Sequence, residues 1–556
     1  MLRLSSSIAA PPRARSDAPP PPPTRPGTRE PRKPRIAFAR LAPVLAAVLV
    51  AAVWLAIRPH TVDMAAHTFR ADLFGEEGFT IWNGLWYGGH HTPAYSVLFP
   101  PLGWLLGPWV AGALATVAAA ALFEPLARRQ WGKRGSWAAL WFGLATGALL
   151  FTGRLPFAMG VAFGLGALLA LQRGRRWIGV TAAVGSGLAS PVAALFLTLA
   201  AVAWGVTARG PERRRALTVA LAAFLPPALL AAAFPEGGYM PFDFSTYVPV
   251  PLMAIGALVL LPKREKALRV GAAIYAVAAT AAFFVQTPMG SNAVRLGALF
   301  AAPIALAAAR RPRTRTGIAL FVLLLGLLGF WQWSSAARDF LASQNEPSAK
   351  TAYYKPLLRF LATKRPEEGR VEIPFTRSHW EAAVVAPHFP LARGWERQLD
   401  AGRNSLFYSG ILTNFTYANW LAEHGVAWVA LPDVKPDDSS FKERGLIEDD
   451  PPYLRLVKRL PHWRIYAVTL PHPMVIPEEG QDIRLTKIRS DEVELDARTA
   501  GTALVRVRWS PYWRVHGGCV ARAGDWTRVT ANHPGKLQMT TSFSLSRVFL
   551  RGRRCG

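Results

Sequence analysis

Eleven apolar segments fill most of the first 333 residues, and this series limits the fold more than any other feature of the chain. A helix needs about 20 apolar residues to cross a bilayer, so the shorter segments must tilt little or lie inside a bundle. The series predicts a polytopic α-helical membrane protein with about eleven transmembrane segments. The stretch 178–206 could be one long helix, two spans or a re-entrant pair broken at Ser190–Pro191. The segments are 41–57, 97–123, 136–152, 156–171, 178–190, 191–206, 216–234, 249–262, 270–285, 296–309 and 317–333.

The distribution of positive charge predicts the orientation of the chain. The formal net charge is +29, which on its own could indicate a nucleic-acid partner. Residues 334–556, however, hold 32 Lys and Arg against 24 Asp and Glu. With the N-terminus in the cytoplasm, the tail and the inner loops carry 28 basic residues and the outer loops carry four. This asymmetry follows the positive-inside rule, argues against a nucleic-acid partner and places residues 334–556 outside the cell membrane. The same orientation requires the stretch 178–206 to return to the cytoplasmic side of the membrane.

Composition divides the chain into four parts. Residues 1–37 are rich in Pro and Arg and predict a disordered cytoplasmic tail. Residues 38–333 form the transmembrane domain, in which the first outside loop, 58–96, is far longer than a connection needs to be. Residues 334–480 mix helical and strand patterns and predict an extracytoplasmic α/β region. Residues 481–556 alternate apolar and polar side chains, which predicts an extracytoplasmic β-sandwich-like module.

The chain has two cysteines, Cys519 and Cys555, and both belong to the predicted extracytoplasmic part. Disulfides persist outside the cytoplasm, so the sequence predicts a Cys519–Cys555 bridge, with two free thiols as the alternative. Neither cysteine has the spacing to other Cys or His residues that is typical of a metal site.

The first outside loop carries most of the candidate chemistry. Asp63, His67 and Arg70 are spaced so that they fall within about 60° on one face of a helix. The pattern predicts an interfacial helix that presents a general base and an arginine for an anionic lipid head group to a cavity. A helix with solvated charges and an aromatic belt is the alternative. The opposite face would carry Met64, Phe69, Leu73 and Phe74.

Three arginines lie on the predicted outer side, where topology rules disfavour them. They are Arg70, Arg154 in T-G-R-L-P-F and Arg295 in S-N-A-V-R-L. A lipid phosphate would explain all three, whereas each alone could be an ordinary helix-end or snorkelling arginine.

Further candidates for acceptor or sugar binding are aromatic and polar residues of the outer loops. The alternatives are an ordinary loop at 235–244 and a salt-bridged turn with a packed Trp at 392–400. The candidates are Trp86, Tyr87, His90, Tyr239, Asp243, Arg393 and Trp395.

The chain resembles the GT-C-type glycosyltransferases, which use polyprenyl-phosphate-linked sugars. The resemblance covers the whole chain in layout: a long first periplasmic loop with an acidic residue after span 1, about eleven spans and a C-terminal exported domain. At the level of sequence motifs, the resemblance covers residues 63–103. The stretch D-M-A-A-H-x-x-R…E-E-G…W-x-x-x-W-Y-G-G is also similar to bacterial membrane proteins labelled as related to 6-pyruvoyl-tetrahydropterin synthase.

The resemblance implies roles for individual residues. Asp63 would deprotonate the acceptor hydroxyl or bind a metal, with Glu76 or Glu77 as a second catalytic carboxylate. Arg295 and Arg154 would hold the donor phosphate. The cofactor stays unknown, with a divalent cation as one candidate. Met64 follows Asp63, so the adjacent acidic pair that many GT-C enzymes carry is missing at this point.

These observations predict a membrane glycosyltransferase that moves a sugar to a cell-envelope glycan, lipid or protein acceptor on the outer face. Nucleotide sugars are absent outside the membrane, so the donor must come from the bilayer. The Ala, Arg and Pro content suggests an actinobacterial source. Two alternatives stay open: a non-catalytic envelope assembly protein, and a transporter or flippase, which would need ionisable groups inside the spans.

Overall fold

A computed structural model gives the structure of residues 35–541 and of Cys555. A helical region is followed by a C-terminal region built on three four-stranded sheets. The tail predicted for 1–37 lies outside the described residues, apart from 35–37, which begin the first helix.

Helices cover most of each of the eleven apolar segments, and the segment 97–123 is divided between α3 and α4. Two further helices lie outside these segments: α2 in the first outside loop and the short α10. In chain order the helices are α1 (Arg35–Ile57), α2 (Val62–Glu77), α3 (Phe99–Leu106), α4 (Pro108–Trp131), α5 (Lys133–Phe151), α6 (Leu155–Gln172), α7 (Arg176–Ala189), α8 (Pro191–Thr207), α9 (Gly210–Ala233), α10 (Phe244–Tyr247), α11 (Pro249–Leu260), α12 (Lys266–Phe284), α13 (Val294–Ala308) and α14 (Arg315–Ser343).

Within residues 35–541, seven helices are long and apolar enough to cross a membrane. They are α1, α4, α6, α9, α12, α13 with the turn before it, and α14. The remaining apolar helices include α7, with 14 residues, and α8, with 17. At 1.5 Å per residue, α7 is about 21 Å long, shorter than a bilayer core of about 30 Å. The number of eleven spans therefore stays a prediction.

The exposed side of α14 is apolar, as expected for a helix in contact with lipid. Leu320 is 61% exposed, Val322 62% and Phe330 73%. Contiguous apolar surface of this size is unfavourable in water. The helix ends at Ser343 rather than at residue 333, where its apolar segment was predicted to end.

The stretch 178–206 forms two helices, α7 and α8, so a single long helix is excluded. The chain turns at Ser190, whose hydroxyl accepts a hydrogen bond from Ala193 N at 3.4 Å, and Pro191 begins α8. Proline suits the first turn of a helix because its missing N–H would have no partner there. The end of α7 next to this turn contacts the first outside loop, because Val97 N donates a hydrogen bond to Leu188 O at 2.9 Å.

The first outside loop also holds a short antiparallel pair of strands, β1 (Trp82–Asn83) and β2 (His90–His91). After α14 comes an α/β unit whose sheet has the order β3-β4-β6-β5, with β3 and β4 parallel. Its strands and helices are β3 (Arg370–Glu372), β4 (Val426–Pro432), β5 (Leu454–Leu460), β6 (Trp463–Val468), α15 (Thr351–Leu361), α16 (Glu381–Val384), α17 (Arg397–Arg403), α18 (Asn414–Glu423) and α19 (Phe441–Glu448).

The chain ends in a β-sandwich of two four-stranded sheets, ordered β12-β13-β10-β7 and β11-β14-β9-β8. The first strand of the sandwich, β7, lies before residue 481, where the module was predicted to begin, because it pairs with β10. Cys519 on β12 forms a disulfide with Cys555, and their Cα atoms are 5.2 Å apart. The strands are β7 (Val475–Pro477), β8 (Ile483–Ile488), β9 (Glu492–Ala497), β10 (Gly501–Arg508), β11 (Trp513–His516), β12 (Gly518–Ala523), β13 (Trp526–Ala531) and β14 (Gly535–Thr541).

Reducing the disulfide is expected to destabilise the sandwich. The bridge joins residues 36 apart in sequence, and closing a loop of that length removes unfolded-state entropy equivalent to about 4 kcal/mol. The chain has no other cysteine, so dithiothreitol and Cys519→Ser should lower the midpoint of thermal unfolding by the same amount. A midpoint that neither treatment changes would contradict this expectation.

Candidate functional site

The predicted helix with Asp63, His67 and Arg70 on one face exists as α2, but protein encloses it. α2 lies against α3 and α4 on the membrane side and against α16 of the C-terminal region. Met64, Phe69 and Leu73 are at most 6% exposed. The face predicted to rest on the membrane therefore contacts protein, because the C-terminal region folds over the helix.

The turn between α5 and α6 holds the N-terminal half of α2. His67 Nε2 donates a hydrogen bond to Gly153 O at 2.8 Å. Burial lowers the pKa of His67 to about 3, so the ring is neutral near physiological pH. A Cβ atom on Gly153, whose φ is +71°, would lie 3.1 Å from the Cβ of Asp63 and 3.1 Å from Thr61 Oγ1. Glycine thus allows Asp63 to lie directly against the turn that carries Arg154.

Replacing Gly153 with Ala is expected to lower activity by displacing Asp63. The new Cβ is crowded and the left-handed backbone becomes strained, at a cost of about 1–2 kcal/mol. The matched control is Gly256→Ala on α11, where a Cβ would meet no atom within 4 Å. Measured as the sugar transfer that the sequence predicts, activity should be reduced for the first variant and unchanged for the second, with both proteins monodisperse in detergent. Equal activities would show that this contact does not position Asp63.

Four guanidinium groups act electrostatically on Asp63. Burial raises the pKa of its carboxyl group, and the positive charges of Arg295, Arg154, Arg70 and Arg397 oppose that rise. Among the described residues, no N–O distance of 4.0 Å or less joins the carboxylate to a cation. A carboxyl group with a raised pKa is suited to accept a proton.

Arg154 and Arg295 have no polar or charged partner in the part of the chain that the structure describes. Neither guanidinium makes a hydrogen bond or an ion pair within 4.0 Å there, although both are half-buried. Arg154 immediately precedes α6, and Arg295 lies in the first turn of α13, 5.5 Å from the ring of Phe157. The two like charges lie within electrostatic range of each other. An anion between them would relieve this repulsion.

Arg70 belongs to the same cluster but is already neutralised. Its Nη2 forms an ion pair with Glu396, and its guanidinium lies 4.0 Å from the ring of Tyr95. The side chain is only 6% exposed. Arg70 and Glu396 are 326 residues apart in sequence, so the pair joins α2 to the C-terminal region.

The start of α17 contributes a residue that the sequence analysis did not assign to the phosphate site. Arg397, which interacts electrostatically with Asp63, is held by Asp437 at 3.1 Å. Of the two predicted sugar-binding residues nearby, Trp395 stacks on His379 with ring centroids 3.4 Å apart. The other, Arg393, is 2% exposed and is bound to Asp400 at 2.7 Å. Both lie inside the α/β unit.

Trp86, Tyr87 and His90 are buried at the junction between the first outside loop and the C-terminal region. None of the three is more than 2% exposed. Trp86 Nε1 donates to Ala382 O at 3.1 Å, and Tyr87 OH accepts from Glu396 N at 3.0 Å. In this structure they hold the loop that carries Glu396, and they offer no open ring face to a sugar.

The other predicted residues lie apart from Asp63. Glu77 accepts a hydrogen bond from Ser490 at the far end of α2, and Glu76 is exposed beside it. Glu76 and Glu77 lie 13 and 14 positions after Asp63 along α2, which corresponds to a distance of about 20 Å along the helix axis. Asp243 is exposed before α10, and the backbone N of Tyr239 donates to Gln398 O at 3.0 Å.

Asp339 on α14 is a second carboxylate close to the cluster, within electrostatic range of Arg154 and Asp63. Sequence reasoning missed it because the last apolar segment ends at residue 333. The short polar stretch after residue 333 was the only sign in the sequence that α14 could continue. In residues 35–541 and Cys555, no three His, Cys, Asp or Glu side chains converge in the manner of a metal site.

An apolar groove runs from the outer side of α2 and α3 to Arg70. Its mouth exposes Phe79, which is 59% exposed. The lining is Arg70, Leu73, Phe74, Gly78, Phe79, Thr80, Thr92, Pro93, Ser96, Val97, Pro100 and Pro101.

Comparison with known proteins identifies no family. No family model matches the chain, and no curated protein matches it. A cryo-EM structure of arabinofuranosyltransferase AftD from Mycobacteria is similar over 92% of this chain, with 14% sequence identity and a TM-score of 0.38. The chain spans 57% of the length of that protein. None of these comparisons supports the resemblance to the pterin-synthase-related proteins.

Proposed function

We propose that this protein is a membrane glycosyltransferase that takes a sugar from a polyprenyl-phosphate donor and transfers it to an acceptor hydroxyl of the cell envelope. One observation carries the proposal. Asp63, a carboxyl group with a raised pKa, lies within electrostatic range of Arg154 and Arg295, two arginines at the ends of apolar helices that make no side-chain hydrogen bond or ion pair among the described residues. The charge asymmetry of the loops orients these ends toward the outside.

The proposed reaction uses Asp63 as the general base. Its carboxylate accepts the proton of the acceptor hydroxyl, and the oxygen forms a bond to the anomeric carbon of the sugar. The bond between that carbon and the phosphate oxygen breaks, and polyprenyl phosphate leaves with the electron pair. Asp63 then releases its proton to solvent.

In this proposal Arg154 and Arg295 neutralise the leaving phosphate. Positive groups fixed where negative charge develops lower the barrier, because they need no reorganisation during the reaction. Arg70 is held by Glu396, so its role is to position α2, and Arg397 adds positive charge from the C-terminal region. A divalent cation stays a candidate, with Asp63 and Asp339 as the nearest carboxylates.

We assign the apolar groove beside Arg70 to the first isoprene units of the donor. The groove is open at Phe79, and most of its lining is proline, aromatic and aliphatic side chains, so it offers a prenyl chain an apolar surface beside Arg70. Burial of such a chain contributes about 0.8 kcal/mol for each CH₂ group.

Lipid retention tests this function. Wild-type protein, Arg295→Gln and the control Arg175→Gln, an exposed arginine beyond the other end of α6, would be purified from native membranes. Bound polyprenyl phosphates would then be measured by mass spectrometry. We expect enrichment in wild type and control, and at least a tenfold loss in Arg295→Gln, because a charge-assisted hydrogen bond to phosphate is worth about 1.5–3 kcal/mol. If no sample retains polyprenyl lipid, an envelope assembly role becomes the better account.

A further inference from the structure

A second basic cavity lies at the other end of the helical region, remote from Asp63. It is formed by the start of α5, the end of α13 and the chain that leads into α14. α5 has 19 residues and reaches from this cavity to the turn at Asp63, so the two sites are about 28 Å apart. The cavity has a volume of about 220 Å³, which is smaller than the roughly 300–1,000 Å³ of drug-sized ligand sites and leaves room for part of a ligand such as a head group. Its lining is Arg134, Trp137, Ala305, Leu306, Ala309, Arg310, Arg311, Pro312 and Phe321.

Three arginines surround this cavity without a carboxylate. In the described part of the chain, Arg310 and Arg311 make no side-chain hydrogen bond or ion pair, and both are exposed. Arg134 donates one long hydrogen bond to Ala309 O, at 3.4 Å. The site therefore carries about three uncompensated positive charges in a small volume, which favours an anionic ligand.

The rest of the lining is apolar and, apart from Ala309, at least partly exposed. Trp137 is 67% exposed at the mouth, and Leu306 and Phe321 form the walls. An indole at the end of an apolar helix is typical of the membrane interface, where its ring lies at the level of the head groups. A free phosphate ion would use the arginines but leave this apolar surface uncovered. A phospholipid would use both.

We propose that this cavity binds the head group of an anionic phospholipid of the inner leaflet, with the acyl chains along Leu306 and Phe321. Basic cavities between membrane helices on the cytoplasmic side are suited to anionic head groups. The site is independent of the proposed transferase site, because it shares no residue with it. Its ligand stabilises the contact between α5, α13 and α14.

Native mass spectrometry with defined lipids tests this site. The protein would be delipidated, incubated with mixed micelles of phosphatidylglycerol or phosphatidylcholine, and the lipids retained per chain counted. The test variant is Arg310→Gln/Arg311→Gln. The control is Arg213→Gln/Arg214→Gln on α9, which removes the same charge at exposed positions outside the cavity.

We expect one phosphatidylglycerol retained in preference to phosphatidylcholine by wild type and by the control. The test variant should bind it roughly 30-fold more weakly, because each of the two arginines near an anionic lipid contributes about a fivefold effect. No preference in wild type, or equal losses in both variants, would overturn the proposal. Displacement of the lipid by millimolar inorganic phosphate would identify a phosphate site and would also overturn it.

A second measurement needs no arginine variant. Brominated phosphatidylglycerol should quench the fluorescence of wild-type protein more than that of Trp137→Phe, while brominated phosphatidylcholine should not separate the two. Equal quenching by both lipids would contradict a head-group site beside Trp137. The full chain is used throughout.

Discussion

Asp63→Asn is expected to lower sugar transfer by roughly 10²–10⁴-fold, the contribution typical of a general base. Asparagine preserves the shape of the side chain but cannot accept the proton of the acceptor hydroxyl. The matched control is Asp72→Asn, an exposed carboxylate on the same helix. Transfer would be measured with native lipid extract as the donor source. Wild-type activity in Asp63→Asn would remove Asp63 from the mechanism.

The same variant should not destabilise the fold. Burial raises the pKa of Asp63, so the folded state binds a proton more tightly than the unfolded state. Stability therefore falls as pH rises from the ordinary pKa to the raised one, and above that range the ionised carboxylate is a constant penalty. Asn removes this penalty, so the unfolding midpoint at neutral pH should be unchanged or higher. Lost activity together with a lower midpoint would indicate a structural role.

Arg154→Gln and Arg295→Gln are each expected to lower transfer by about 10²–10³-fold, because the leaving phosphate loses a fixed positive charge. They should also change the pH dependence. Each arginine opposes the rise in the pKa of Asp63, so its removal raises that pKa further. Because the base acts only when ionised, the acidic limb of the rate profile should move to higher pH in both variants.

The control for this pair is Arg175→Gln, which removes an exposed arginine at the opposite end of α6. It should leave both the rate and the acidic limb unchanged. The Arg154 or Arg295 variant could instead show a lower rate with no shift in the acidic limb of the pH–rate profile. That result would mean that the arginine does not affect the ionisation of Asp63, and it would contradict a shared site.

Local patterns in the sequence predicted much of this structure. The eleven apolar segments are largely helical, and the spacing of Asp63, His67 and Arg70 correctly predicted that they share one helix. Positive charge on the predicted outer side drew attention to Arg154 and Arg295, which lie within electrostatic range of Asp63. In each case the signal lies within a few turns of one helix or in one short loop.

The contacts that could not be predicted join distant parts of the chain. Arg70 was expected to hold phosphate, but it is bound to Glu396, which lies 326 residues further along the chain in the C-terminal region. The aromatic stretch at Trp86 and Tyr87 has the composition of a membrane-interface belt, yet it is buried because the C-terminal region covers it. His67 has the residue type of a catalytic group but donates to a backbone carbonyl. The spacing of residues within α2 or within the aromatic stretch does not show that a distant part of the chain will bury them.

The most direct test of the central claim is conversion of the bound donor. Wild-type protein and Asp63→Asn, each loaded with native lipid extract, would be mixed with an envelope fraction as acceptor, and the release of polyprenyl phosphate from lipid-linked sugar would be followed by mass spectrometry. We predict that both proteins retain the lipid and that only the wild type releases polyprenyl phosphate. Release at equal rates by the two proteins, or retention of no polyprenyl lipid by either, would contradict a transferase site at Asp63.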